Sequence, residues 1–166
     1  IAGEGAGEGE LHGLADAVND ALDRQAVIFT GVLADVDPAY ACADVVLGMG
    51  TAVLGGMAQG KPAIVLGEDG FSALLDERSA PALADVGFWG EGPSEGAGAR
   101  LARHITEALG DPARTDALGA FARDLVLARP TKEQTDQRVE DVYASAIANV
   151  ASRPARAWHA TRSLGR

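Results

Sequence analysis

Cysteine is nearly missing from this chain. Cys42 stands alone, which excludes an intramolecular disulfide and suits a reducing cytoplasm. Set in the Ala-rich run "AYACADVV", it reads as a small apolar packing residue and not as a catalytic thiol. Lysine is almost as scarce, with Lys61 and Lys132 the only two among 14 basic residues. Positive charge as a whole is outweighed: the formal net charge is −10. Nucleic acid is therefore excluded as the main partner, since a phosphate backbone needs a basic footprint. No apolar run approaches the ~20 residues of a membrane-spanning helix. The chain opens "IAGEGAGEGEL", without an initiator Met or a basic leader, so it reads as a fragment with no signal peptide.

What is present is a chain of 166 residues, 47% hydrophobic and rich in Gly, long enough for one domain with a proper core. "ELHGLADAVNDAL" carries Leu11, Leu14, Ala15, Val18 and Leu22 at helical spacing. "AVIFTG", "DVVLG" and "PAIVLG" read as short buried strands. Asp37 and Pro38 suit the N-cap and first position of a brief helix through Cys42. "MGTAVLGGMAQ" reads as a short helix stopped by Gly60. "EDGF" is a loop, and the chain stays irregular through "SAPALADVGFWGEGPSEGAG". Helices resume at 99–109 and after Asp111-Pro112 as far as Arg129. Thr131 looks like the N-cap of a last helix striped by Val139, Val142, Tyr143, Ala146, Ile147 and Val150. Short apolar strands alternating with helices predict an α/β fold, a Rossmann-like parallel sheet with helices on both faces. The expected domain covers residues 1–150. Residues 151–166 form a tail in which Arg153, Arg156, Arg162 and Arg166 surround Trp158.

Several chemical motifs are suggested and then fail. "GGMAQGKP" meets the P-loop pattern at Gly55, Gly60 and Lys61, but Pro62 replaces the hydroxyl that would hold Mg²⁺. Its glycines also end a helix, whereas a P-loop opens one. Gly3, Gly5, Gly7 and Gly9 do not make a dinucleotide fingerprint, because Glu8 and Glu10 stand where its last glycine belongs. His12, His104 and His159 have no ligand spacing, so no metal site is expected. The stronger candidate is "VLGMGTAVL". After a strand, the turn Gly48-Met49-Gly50 leads into a helix at Thr51, where free amides and close backbone approach suit an anion. The loop Glu68-Asp69-Gly70-Phe71, with Gly67 before it, should emerge beside that turn at the carboxyl edge of the sheet, where open α/β sheets bind ligands.

In order along the chain, "IAGEGAGEGELHGLA", "VIFTGVLADVDPAYACADVVLG", "AVLGGMAQGKPAIVLGEDGF", "LGDPARTDALGAFARDLV" and "RVEDVYASAI" resemble the C-terminal, donor-binding domain of GT-B-fold glycosyltransferases, above all the retaining family-four group. The resemblance implies a nucleotide-sugar donor, an unknown acceptor and transfer of a hexosyl group without a cofactor or metal. Helix amides and basic side chains would stabilise the leaving diphosphate. It places Thr30, Gly31 and Val32 at the nucleobase, Gly48, Met49, Gly50 and Thr51 at the diphosphate, and Glu68, Asp69, Gly70 and Phe71 near the sugar or phosphates. The family's two glutamates, spaced E-x7-E, are both missing. The segment after Asp44 is too short for the first, and Gly55 takes the place of the second, which holds the ribose. The resemblance also implies that the first strand–helix unit and the N-terminal acceptor domain lie outside this chain. No catalytic residue is therefore named, no turnover is expected of the fragment, and the tail becomes a candidate crossing to that domain. Two other readings remain: a non-catalytic relative with an assembly role, and a sugar-nucleotide epimerase of related fold.

Overall fold

The computed structural model describes residues 1–129 and 132–151. Two compact units divide the chain, residues 1–124 and 125–166. The expected N-cap at Thr131 and the Arg/Trp tail lie outside the described residues. The fold is mixed α/β, with seven helices and one three-stranded sheet among the described residues.

The sheet runs in the order β1 (Val46–Gly48), β2 (Ala63–Leu66), β3 (Ser72–Leu74). β1 and β2 are parallel, with Gly48 opposite Val65. β2 is the central strand, and Ala63, Ile64 and Val65 are fully buried, as an uninterrupted apolar run requires. The fold departs from the expected parallel sheet at β3, which pairs antiparallel with β2, Ser72 opposite Leu66. The "EDGF" loop is thus a hairpin turn. Asp69 and Gly70 both have positive φ, 51° and 74°, and the Phe71 amide donates to the Glu68 carbonyl at 3.0 Å. Two consecutive left-handed residues match the right-handed twist of the flanking strands, which is why Asp-Gly is a hairpin signal.

"AVIFTG" is not a strand. The Asn19 side chain brackets Val27, accepting its amide proton at 2.7 Å and donating to its carbonyl at 3.0 Å. Those groups are then lost to any ladder. Only Gly31 forms a bridge, parallel with Ala2, so β1 has no strand on its outer edge.

The helices follow the periodicity more closely. α1 is Glu8–Leu22, α2 Asp37–Cys42, α3 Thr51–Ala58, α4 Ala80–Asp85, α5 Ala97–Leu109, α6 Pro112–Leu127 and α7 Lys132–Ala151. α2 begins one residue earlier than the sequence suggests, with Val36 as its N-cap. Cys42 is exposed, not buried. α4 falls in the stretch read as irregular. It is anchored by Asp76, whose Oδ1 accepts the Arg78 and Ser79 amides, both at 2.9 Å. On α1 only Ala15 is buried, while Leu11, Leu14, Val18 and Leu22 are exposed. On α7 Val139, Val142, Tyr143 and Ile147 are likewise exposed.

α5 lies against β3, and Leu101 and Ile105 pack on a cluster of Ile64, Leu74, Ala108 and Leu118. His104, on the same helix, is also buried, and among the described residues its Nδ1 has no hydrogen-bond partner. Burial holds its pKa below the ordinary 6.5; Arg103 and Arg100 push the same way and Glu107 opposes. The unfolded chain therefore binds this proton more readily than the folded one, so the imidazole lowers stability as pH falls below about 6.5. His104→Leu is expected to flatten that acid-side loss. At pH 8 it should be at least as stable as the parent, because it removes an unpaired buried polar atom. Urea unfolding of both proteins between pH 8 and pH 5 checks this; parallel stability curves would contradict it.

Candidate functional site

The two glycine-rich turns share one edge of the sheet. Parallel pairing sends β1 and β2 in one direction, so the Gly48–Thr51 turn and the Gly67–Phe71 turn leave the same, carboxyl edge of the sheet. Gly50 is the N-cap of α3, at φ 55° and ψ −127°, a conformation closed to residues with a Cβ. Thr51 opens the helix, and no side chain caps it.

The amides of this turn are not all available to a ligand. Gly50 donates to the Phe88 carbonyl at 2.9 Å, and Ala52 donates to the Met49 carbonyl at 3.2 Å. Among the described residues the amides of Thr51 and Val53 have no such acceptor, but Val53 is fully buried, so Thr51 carries the donor left for an anion at the start of α3. Thr51 itself and Met49 are exposed.

"GGMAQGKP" resolves into a helix end. The Gly60 amide donates to the Met57 carbonyl at 2.9 Å and the Lys61 amide to the Gly56 carbonyl at 3.1 Å, the paired bonds of a Schellman motif. Gly60, at φ 73°, supplies the left-handed residue that motif needs. Lys61 Nζ donates to the Ala41 carbonyl at 2.8 Å, placing a cation at the carboxyl end of α2. Gln59 Nε2 reaches the Asp37 carbonyl and Oδ1 at 3.3 and 3.2 Å. These side chains fasten α2 to the end of α3 and hold no phosphate.

Gly55 has a structural reason of its own. A Cβ there would lie 2.5 Å from Cε2 of Tyr40, and the Tyr40 hydroxyl donates to the Ala52 carbonyl at 2.7 Å. The aromatic ring thus occupies the space in which a glutamate side chain would begin. No cue in the sequence singled out Tyr40 as the residue that reads position 55.

In the second turn, Glu68 bridges Glu91, and its amide donates to the Gly90 carbonyl at 2.9 Å. The Arg100 guanidinium donates to the carbonyls of Gly70 and Pro93 at 2.8 and 2.7 Å. This cation beside the turn escaped the sequence reading, which saw Arg100 only as a helix residue. Behind the turn a cavity of about 250 Å³ is lined by Leu66, Phe71, Ser72 and Leu101 among others.

Thr30, Gly31 and Val32 are held differently. The Thr30 amide donates to the Ile1 carbonyl at 3.0 Å and Gly31 accepts from Gly3 at 2.9 Å, while Val32 is exposed. No backbone hydrogen bond joins this segment to β1 or β2. Of the three groups of site residues, two therefore share an edge and the third is tied to the start of the chain. Among the described residues, no group of His, Cys, Asp or Glu is arranged to hold a metal, and no helix is long and apolar enough to cross a membrane. No family model matches the chain, and no curated protein or solved structure does either.

Proposed function

We propose that this chain is the donor-binding half of a GT-B-type glycosyltransferase, a Rossmann-like unit that holds a nucleotide sugar at the carboxyl edge of its sheet. One observation carries the reading: parallel pairing of β1 and β2 sets the glycine turn at Gly48 beside the Glu68–Phe71 turn. In this reading the Thr51 amide and the Gly48–Gly50 turn receive the diphosphate, Arg100 adds positive charge near the sugar, and Thr30–Val32 serve the nucleobase. The resemblance along the chain supplies the substrate class. Catalytic groups and the acceptor site are assigned to no residue described above.

The test is a titration of the chain with UDP, GDP and ADP against pyrophosphate and sulfate at matched ionic strength, followed by amide NMR. Saturable shifts at Gly50, Thr51 and Gly70 with a preference for one nucleoside diphosphate are expected. Equal responses to nucleotides and simple anions would end the proposal.

A second reading, a non-catalytic relative kept for assembly, is favoured by the Tyr40 ring over Gly55. Gly55→Glu separates the two. The new side chain must push the Tyr40 ring aside and break its bond to Ala52, at a cost of about 1–2 kcal/mol of stability. A weakened transferase should regain ribose hydrogen bonds and bind its nucleoside diphosphate about tenfold or more tightly. Unchanged affinity in a folded variant favours the assembly reading.

A further inference from the structure

A second site is suggested beyond the C-terminal end of β3, where Leu74 lies opposite Ile64. A cleft of about 360 Å³ opens between the turn at Asp76, Glu77 and Arg78 and the first half of α6. Its volume lies within the range of small-molecule sites. Leu118 forms part of its floor and belongs to the core cluster with Ile64, Leu74 and Ala108, so the floor is firmly supported. Ala117 and Phe121 complete the apolar surface.

The rim carries Asp76, Glu77, Arg78 and Arg114, two charges of each sign. Among the described residues the ion pairs are Glu8–His12 and Arg103–Glu107, so none of the four rim charges is closed off by such a pair. Asp76 is nevertheless fixed in place by the Arg78 and Ser79 amides. Burial pushes its carboxyl up, but those hydrogen bonds and the Arg78 guanidinium outweigh that and leave it below the usual range. It is ionised at neutral pH.

We propose that this cleft binds a free amino acid with an apolar side chain. The α-carboxylate lies between Arg78 and Arg114, the α-ammonium faces Glu77 and Asp76, and the side chain rests on Ala117, Leu118 and Phe121. A simple anion would meet two carboxylates here, and a simple cation two guanidiniums. A ligand carrying both signs on one carbon can pair with charges of both signs at once. The cleft shares no residue with the turns at Gly48 and Glu68, so this assignment is independent of the glycosyltransferase reading.

Calorimetric titration of the whole chain with L-leucine tests it, beside N-acetyl-L-leucine, L-leucinamide and glycine. Saturable binding of leucine is expected, with each of the three analogues weaker by about tenfold or more. Arg114→Ala should weaken leucine by a similar factor. Arg114 is exposed, so that variant should keep the parent's circular dichroism and unfolding midpoint. The proposal is overturned by absence of saturation with leucine, by an analogue that binds as well as leucine, or by a folded Arg114→Ala variant with unchanged affinity.

Discussion

Gly67→Ala should destabilise this fold by about 3–5 kcal/mol, more than most single methyl additions. A Cβ at position 67 would run into the backbone carbonyl of Gly90. That carbonyl cannot step aside, because it accepts the Glu68 amide at 2.9 Å in the bridge between Glu68 and Glu91. Neighbouring Gly67 is also the residue that closes β2 into its hairpin, its amide donating to the Phe71 carbonyl at 3.2 Å. Relief would require separating segment 90–92 from the sheet edge. Gly90→Ala is the matched control. Its Cβ would meet the Phe71 ring at 2.7 Å, a side chain that can rotate away, and its cost should be smaller by about 2 kcal/mol. Urea unfolding of both variants measures the difference, and equal destabilisation would show that the Gly90 carbonyl is not the obstacle.

Phe88→Ala is expected to cost about 3–5 kcal/mol and also to loosen the glycine turn. Phe88 is 1% exposed and the largest of the fully buried side chains. It has φ of 60°, a conformation that a bulky residue tolerates only where its surroundings hold it there. Its own amide donates to the Leu83 carbonyl at 2.7 Å, and its carbonyl accepts the Gly50 amide at 2.9 Å. The buried ring thus fixes the position of a carbonyl that in turn holds the turn before α3. Loss of the ring should raise amide hydrogen exchange at Gly50 beyond the increase seen at Ile64 in the sheet. Uniform acceleration at both positions would mean that the substitution lowers global stability without acting on the turn. Phe88→Leu, which keeps most of the apolar volume, should restore protection at Gly50.

The donor-site reading depends on geometry that could have come out otherwise. β1 and β2 might have been separated by another strand, and the two glycine turns would then have stood about 10 Å apart across the sheet. Direct pairing instead makes them neighbours. The same geometry limits the site. One amide of the turn is spent on Phe88, and the Tyr40 ring fills the space beside Gly55 in which a longer side chain would begin.

Local pattern was enough for much of the chain. The 3.6-residue spacing of Leu11, Leu14 and Val18 marked α1, and Gly60 before Lys-Pro marked the end of α3, because helix stops are written in residues next to one another. The run Ala63–Leu66 announced a buried strand for the same reason: continuous apolar character has little use outside a doubly covered sheet. The Asp69-Gly70 hairpin is also legible, since Asp-Gly between apolar runs encodes its own turn, although the strand–helix alternation points to a plain loop there.

Other features were beyond any local signal. Whether "AVIFTG" joins the sheet depended on Asn19, eight residues before Val27, taking both of its backbone groups. Whether position 55 must be glycine depended on the ring of Tyr40, brought there by the docking of α2 on α3. Gly67 is constrained by the carbonyl of Gly90 and the turn at Gly50 by that of Phe88. The sequence by itself determined where the chain coils, stops and turns, because those preferences act over a few residues. Only the tertiary structure decided which backbone groups remain free at the candidate site, because each amide or carbonyl is claimed by a partner whose distance along the chain carries no periodic signature.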